Sequence, residues 1–105
     1  MKLKYQLVFQ LLESCLVDFE ALISFEAELI DVLREGEVVD GHDMGSGEAN
    51  IFVFTDDPRA TFQRAKSVLE NAGYLMNVII AYRNVEGEDF TVIWPENCAR
   101  EFTVA

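Results

Sequence analysis

The densest group of polar side chains in the sequence lies between residues 40 and 50. It holds the chain's only histidine, three carboxylates, a hydroxyl and an amide: Asp40, His42, Asp43, Ser46, Glu48 and Asn50. Carboxylates with one imidazole are suitable ligands for a divalent cation. The calcium-loop pattern fails, because position five counted from Asp40 is Met44 and position twelve is Ile51. An ordered polar hairpin and a weak cation site at Asp40, Asp43 and Glu48 both stay open.

Catalytic chemistry in this stretch is poorly supported. Ser46, His42 and Asp43 are the residue types of a hydrolytic triad, but an adjacent His–Asp pair cannot orient itself as a triad requires. The surrounding glycines lie between two predicted strands, whereas a phosphate cradle lies between a strand and a helix. Two cysteines 83 positions apart and one histidine do not supply the usual ligands of a transition metal. We therefore expect no catalytic residue, no tightly bound transition metal and no cofactor.

Glu26 is the second unusual polar residue. On a helix its four nearest neighbours are all apolar: Leu22, Ile23, Leu29 and Ile30. A carboxylate on an apolar face is costly unless it is paired or hydrogen-bonded. We expect Glu26 to be buried and bonded to the polar hairpin, through His42 or the amides near Ser46. The alternatives are that it caps a neighbouring loop or lies at the wet edge of the apolar stripe.

The alternation of apolar and polar residues, together with the residue types that begin and end helices, predicts the strands and helices that carry these side chains. Strands are expected at 5–12, 37–43, 48–55, 76–85 and 90–94, with helices at 16–33 and from Pro58 to Gly73. This order predicts an α+β fold, a ferredoxin-like βαββαβ sandwich with an extra C-terminal strand. Both helices would lie on one face of an antiparallel sheet. The chain is expected to be a single domain, residues 1–105, ending in a tail at 95–105.

The hairpin sequence also carries a resemblance. The run Asp-Gly-His-Asp-x-Gly-Ser-Gly-Glu-x-Asn-x-Phe at 40–52, followed by Thr-Asp-Asp-Pro at 55–58, resembles a family of small uncharacterised bacterial proteins. In that family a Glu also lies midway along the first helix, and Glu26 matches it. The resemblance covers roughly residues 19–94. It implies that Glu26 and the hairpin belong together, and it implies no activity.

The sheet face without helices is a candidate interface. Alternation in the third and last strands places large apolar side chains there, with Phe52, Phe54 and Trp94 as the candidates. An exposed apolar patch on a small domain usually marks an interaction surface. We expect a homodimer through this face; the alternative is that residues 96–105 fold back over it.

The net charge of the chain limits the kinds of molecule that it can bind. The chain has 19 acidic and 8 basic residues, a formal charge of −11, which disfavours nucleic acid and anionic membrane surfaces and permits a basic protein partner. The sequence predicts a cytoplasmic protein with no membrane segment. The best-supported function is a non-catalytic binding or protein-interaction domain. The alternative is a ligand- or cation-binding protein, or an enzyme, that uses Glu26 and the Asp40–Asn50 hairpin.

Overall fold

The described residues form an α+β fold with a five-stranded antiparallel sheet and two helices. The computed structural model describes residues 4–12, 19–34, 36–45 and 48–95. The strands lie in the order β2-β3-β1-β4-β5, so β2 and β5 form the two edges. The elements are β1 (Tyr5–Leu12), α1 (Phe19–Val32), β2 (Val38–Gly45), β3 (Glu48–Thr55), α2 (Pro58–Ala72), a 3₁₀ turn (Leu75–Asn77), β4 (Val78–Asn84) and β5 (Thr91–Trp94).

One apolar core lies between the sheet and the helices. Alternate residues of β1, namely Leu7, Phe9 and Leu11, are fully buried and pack against both helices. A period of two puts successive side chains on opposite faces, so one face of each strand supplies the core. The other core members include Ile51, Val53 and Ile80 from the sheet, Leu22, Phe25 and Leu29 from α1, and Phe62, Ala65 and Leu69 from α2. The α+β prediction is confirmed.

Helix α2 begins and ends at the predicted signals. The Asp57 side chain caps it by accepting the backbone N–H of Ala60 at 3.2 Å, and Pro58 follows as the first helical residue. Gly73 closes it in the left-handed conformation, at φ 80°, and its N–H donates to the Glu70 carbonyl at 3.1 Å. These caps fix the chain directions into and out of α2.

Helix α1 buries only part of the apolar face predicted around Glu26, namely Leu22 and Leu29. Phe25, which lies outside that predicted face, is buried beside them. Ile23 and Ile30 are 39% and 50% exposed. Residues 22, 25 and 29 follow the three-and-four spacing of one helical row, and 23, 26 and 30 form the row beside it. Glu26 therefore lies at the boundary of the core and not in the middle of its apolar face.

Strands β2, β4 and β5 have bounds that differ from the predicted 37–43, 76–85 and 90–94. Strand β2 spans Val38–Gly45, and β4 begins at Val78 and not at Met76. The 3₁₀ turn (Leu75–Asn77) lies directly before β4. It is closed by the Asn77 N–H, which donates to the Tyr74 carbonyl at 2.8 Å. Met76 lies in this turn and is 88% exposed. An apolar sequence alone did not distinguish a tight turn from a strand end.

A register shift in β2 decides which way the hairpin residues face. Val39 pairs with Val53, but the next paired residues are Gly41 with Phe52 and His42 with Ile51. The extra residue, a β-bulge, reverses the alternation in β2. Because Ile51 belongs to the core face, His42 lies on the same side of the sheet as the helices. No helix within the described residues is long and apolar enough to cross a lipid bilayer.

Candidate functional site

Glu26 and His42 are in direct contact. His42 Nδ1–H donates to Glu26 Oε2 at 2.8 Å, and the two side chains are 28% and 17% exposed. The predicted link between α1 and the hairpin is confirmed with His42 as the partner. We expected Glu26 to be buried, but it is only half-buried. The pair joins the outer row of α1 to the edge strand of the sheet.

Two local features bring this pair together. The row of α1 that contains Ile23, Glu26 and Ile30 borders the core. The bulge at Asp40–Gly41 turns His42 toward the helices, so the imidazole reaches the Glu26 carboxylate. Gly41 has φ 155°, a conformation that favours glycine, and a Cβ there would have no neighbour within 4 Å. Backbone conformation, and not crowding, accounts for glycine at this position.

The other hairpin candidates do not converge on this pair in one site. Asp40 and Asp43 are exposed, and Ser46 lies outside the described residues. Asn50 is almost fully buried on the opposite face, where its Oδ1 accepts from Gln10 Nε2 at 3.2 Å and its Nδ2 donates to Glu48 Oε1 at 3.5 Å. Within residues 4–12, 19–34, 36–45 and 48–95, no three His, Cys, Asp or Glu side chains gather as metal ligands.

A second polar cluster, absent from the sequence predictions, surrounds Glu37. Its Oε1 accepts from the Arg34 backbone N–H at 2.7 Å and from the Arg64 guanidinium. Its Oε2 accepts from the hydroxyls of Thr55, at 3.0 Å, and Thr61. The Glu37 side chain is only 10% exposed. This cluster ties the start of β2 to the end of β3 and the first turns of α2.

The hydrogen bonds to Glu37 stabilise its ionised form. Burial acts to raise the pKa of the Glu37 carboxyl, but four donors outweigh burial and hold this pKa below its ordinary value. These donors are the Arg34 N–H and the side chains of Thr61, Arg64 and Thr55. Arg64 also donates from Nε to the Val32 carbonyl at 3.2 Å, which satisfies the last turn of α1. The cluster is a closed structural network.

Sequence reasoning missed this cluster because its members have no common local pattern. Glu37 and Arg64 are 27 positions apart, and neither interrupts an apolar stripe as Glu26 does. The one local signal is the pair of threonines, Thr55 and Thr61, on either side of the Asp57–Pro58 helix start. Both hydroxyls are buried and contact each other at 2.8 Å. Buried threonines beside a helix start indicate a polar network beneath it.

The candidate interface residues separate onto two faces. Phe52 and Phe54 are half-buried on the face away from the helices. Trp94 pairs with Ile80 of the core, its ring lies 5.7 Å from that of Phe62, and its Nε1–H donates to the Leu75 carbonyl at 2.9 Å. Trp94 therefore lies on the helix side, which corrects its placement beside the two phenylalanines. The cause is a register shift in β5, which breaks the alternation before Trp94.

The centre of the helix-free face is less open than the sequence indicated. Val8 and Ala81 are fully buried there, and the polar residues Gln10 and Asn50 are nearly so. The alternative that residues 96–105 cover this face falls outside the described residues. The homodimer through this face stays a prediction.

A depression of about 190 Å³ lies far from the Glu26–His42 pair along the sheet. Its walls come from the start of β1, the end of β4 and the β3–α2 turn: Tyr5, Tyr82, Asp56, Asp57, Pro58 and Arg59. Tyr5 is paired with Thr55 and Asn84, four registers along β1 from the Phe9–Ile51 pair that lies level with His42. The sequence analysis did not single out this depression.

Comparison with known proteins adds no family to these observations. Neither a family model nor a curated protein matches the chain. The resemblance of the 40–52 hairpin to a bacterial family therefore stays a prediction.

Proposed function

We propose that this protein is a non-catalytic interaction domain that binds a basic protein partner through an acidic surface. The observation that carries the proposal is the uneven distribution of charge along the chain. Residues 19–57 contain 11 acidic residues and a single basic one, Arg34. Within the described residues, seven of these acids are exposed: Glu20, Glu28, Asp31, Asp40, Asp43, Asp56 and Asp57.

Contacts between the elements support treating these acids as one surface, here called the acidic surface. The Glu26–His42 bond joins α1 to β2, the edge strand that also carries Asp40 and, on the opposite face of the sheet, Asp43. The Glu37–Thr55 bond joins the α1–β2 turn to the end of β3, next to Asp56. Acids from α1, β2 and the β3–α2 turn are thereby held by one framework.

The rest of the described chain is nearly neutral in charge. Helix α2 carries Arg59, Arg64 and Lys66 against a single acid, Glu70. A local excess of negative charge steers an oppositely charged partner and orients it on approach. Net charge alone is enough for solubility, and it does not require the acidic residues to be concentrated in one part of the chain. The asymmetry is the reason to prefer a partner over a purely solvating role.

The test compares two variants with equal loss of charge. One carries Glu28→Gln, Asp31→Asn, Asp40→Asn and Asp43→Asn on the acidic surface. The control carries Glu70→Gln, Glu86→Gln, Glu88→Gln and Asp89→Asn, all exposed and outside it. Each is immobilised and used to capture proteins from a native lysate at low salt. We expect a basic protein bound by wild type and control, lost from the first variant and released by salt.

Equal capture by both variants, or capture of no basic protein, would contradict the proposal. A second candidate function rests on the Glu26–His42 contact, because a carboxylate that orients an imidazole is a common arrangement in acid–base and cation sites. Titration of the His42 ring signals with Mg²⁺, Ca²⁺ and a neutral salt control would detect such a site. Saturable shifts with a divalent cation alone would favour this second candidate.

The fold assignment can also be carried one step further. The order β2-β3-β1-β4, in which α1 connects β1 to β2 and α2 connects β3 to β4, supports a ferredoxin-like assignment with β5 added at one edge. A cytoplasmic location is part of the same proposal, supported by a total of only two cysteines, which are too few for the disulfide frameworks typical of small secreted domains.

A further inference from the structure

The depression lined by Tyr5 and Tyr82, here called the tyrosine depression, has the size of a side-chain site. Its volume of about 190 Å³ is below the roughly 300 Å³ at which pockets begin to hold drug-sized ligands. A single side-chain head group fits such a space. The two rings meet edge to face, with centroids 5.7 Å apart and planes at 87°, and both are half-buried. The walls are therefore aromatic and are set by strand pairing.

Two carboxylates at the mouth are held in place by the backbone. Asp56 Oδ1 accepts from the Lys4 N–H at 3.1 Å, and Asp57 Oδ1 accepts from the Ala60 N–H at 3.2 Å. A carboxylate has two acceptor oxygens. Within the described residues, the second oxygen of each makes no hydrogen bond, so both can accept from a bound donor.

The charges of this site favour a cation over an anion. Two carboxylates face one guanidinium, that of Arg59. Two amides at the start of α2, which would otherwise attract an anion, are used internally: Ala60 donates to the Asp57 side chain and Thr61 to the Asp57 carbonyl. Arg59 Cζ lies 6.0 Å from the centre of the Tyr82 ring, so that ring already accepts a guanidinium at the outer limit of a cation–π contact.

We propose that the tyrosine depression binds the guanidinium of an arginine side chain on the basic partner. The incoming arginine replaces Arg59 over Tyr82 and donates to Asp56 and Asp57. A planar guanidinium stacks on an aromatic ring and forms paired hydrogen bonds to a carboxylate, whereas a lysine ammonium is a compact point charge. This inference rests on the proposed function and names the residue type by which the partner is anchored.

The test is an NMR titration of the intact protein with N-acetyl-arginine N-methylamide. We expect saturable shifts of the Tyr5 and Tyr82 ring signals. The citrulline counterpart, similar in shape but neutral, is expected to cause none, and the lysine counterpart to bind more weakly. Inorganic phosphate serves as the anion probe and is expected to leave the rings unaffected.

Three variants test whether the bound group is positively charged. Asp56→Asn keeps the acceptor for Lys4 and removes a charge, so arginine binding should weaken by about threefold, the effect of one exposed ion pair. Arg59→Gln removes the competing cation, so binding should strengthen by about the same factor. Glu70→Gln, at the far end of α2, is the matched control and should change nothing.

Equal shifts with citrulline, ring shifts with phosphate, or weaker arginine binding by Arg59→Gln would each overturn the proposal. The outcome is separable from that of the proposed function. If the lysate experiment succeeds and the arginine titration fails, the acidic surface binds its partner by other contacts. If the titration succeeds and no basic protein is captured, the depression binds guanidinium but the proposed function fails.

Discussion

Two glutamates near the α1–β2 connection have opposite surroundings. Glu37 accepts hydrogen bonds from four groups, one in the α1–β2 turn, one on β3 and two on α2, and is 10% exposed. Glu26 accepts a hydrogen bond from His42 and is 17% exposed at the edge of the core. The sequence drew attention to Glu26, because it interrupts an apolar stripe. The more heavily bonded carboxylate is the one that the sequence did not distinguish.

The difference separates two roles of a partly buried carboxylate. One stabilises the fold, and the other connects two elements at the edge of the core. At Glu37 both oxygens are used, and Arg64 supplies the opposite charge. A fully satisfied cluster fixes the turn, but breaking it leaves partners unpaired. At Glu26 the contact crosses from a helix to an edge strand beside exposed acids. We infer that Glu37 holds the fold, and that Glu26 positions β2 within the acidic surface.

The largest expected effect is that of Glu37→Ala. This change leaves Arg64, Thr55 and Thr61 without their shared acceptor, so the free energy of unfolding should fall by about 3 kcal/mol. Urea denaturation measures it. Glu28→Ala on the exposed side of α1 is the control and should stay within about 0.5 kcal/mol of wild type. Similar losses in the two variants would show that the cluster contributes nothing beyond an exposed glutamate.

The second prediction concerns pH. Because folding lowers the pKa of Glu37, its contribution to stability is complete above the unfolded-state pKa and is lost as pH falls through the folded-state pKa. Wild type should therefore lose stability on acidification below about pH 5. Glu37→Gln should start lower and lose less over the same range. Parallel pH profiles of the unfolding free energy for the two proteins would contradict this.

The third prediction tests the bulge that turns His42 toward Glu26. Gly41→Ala places a Cβ on a residue with φ 155°, which should cost about 1–2 kcal/mol from the backbone alone, since no atom lies within 4 Å of that Cβ. Gly87→Ala is the matched control, because its Cβ would meet Asn84 at an ordinary 3.6 Å. If Gly41→Ala were as well tolerated as Gly87→Ala, backbone conformation would not explain the glycine.

The smallest expected effect is that of the Glu26–His42 pair. Glu26→Ala should lower the unfolding free energy by about 1 kcal/mol, more than Glu28→Ala, because it removes the acceptor of a half-buried bond. A double-mutant cycle with His42→Ala measures the coupling directly. Additive losses in the cycle would mean that the two side chains touch without stabilising each other.

Sequence reasoning succeeded where the signal is local. Strand alternation in Tyr5–Leu12 and the Asp57–Pro58 and Gly73 caps give β1 and α2 their observed bounds. It failed where one extra residue reverses a face, as before Trp94, because a bulge has no reliable sequence signature. In α1 it chose Ile23 and Ile30 over Phe25, since two adjacent apolar rows compete and only the packed sheet decides between them.

The Glu26–His42 contact was within reach of sequence because a charge on an apolar row requires a partner, and the only histidine lay in a nearby polar hairpin. The Glu37 cluster was not, because it depends on the α1–β2 turn, the end of β3 and the start of α2 meeting in space. Its residues, Glu37, Thr55, Thr61 and Arg64, are each ordinary in their local context. Long-range polar networks of this kind follow from the fold and do not precede it.

The register shifts also have a consequence for how the sheet behaves toward other molecules of the same chain. One shift lies in the pairing of edge strand β2 and the other in the pairing of edge strand β5. A β-bulge twists an edge, and β5 is only four residues long, so neither edge offers the long, flat row of backbone groups on which fibrils grow. Exposed Asp40 and Asp43 on β2 add charge repulsion between copies. The feature that directs His42 inward thus also protects the protein against aggregation through its edges.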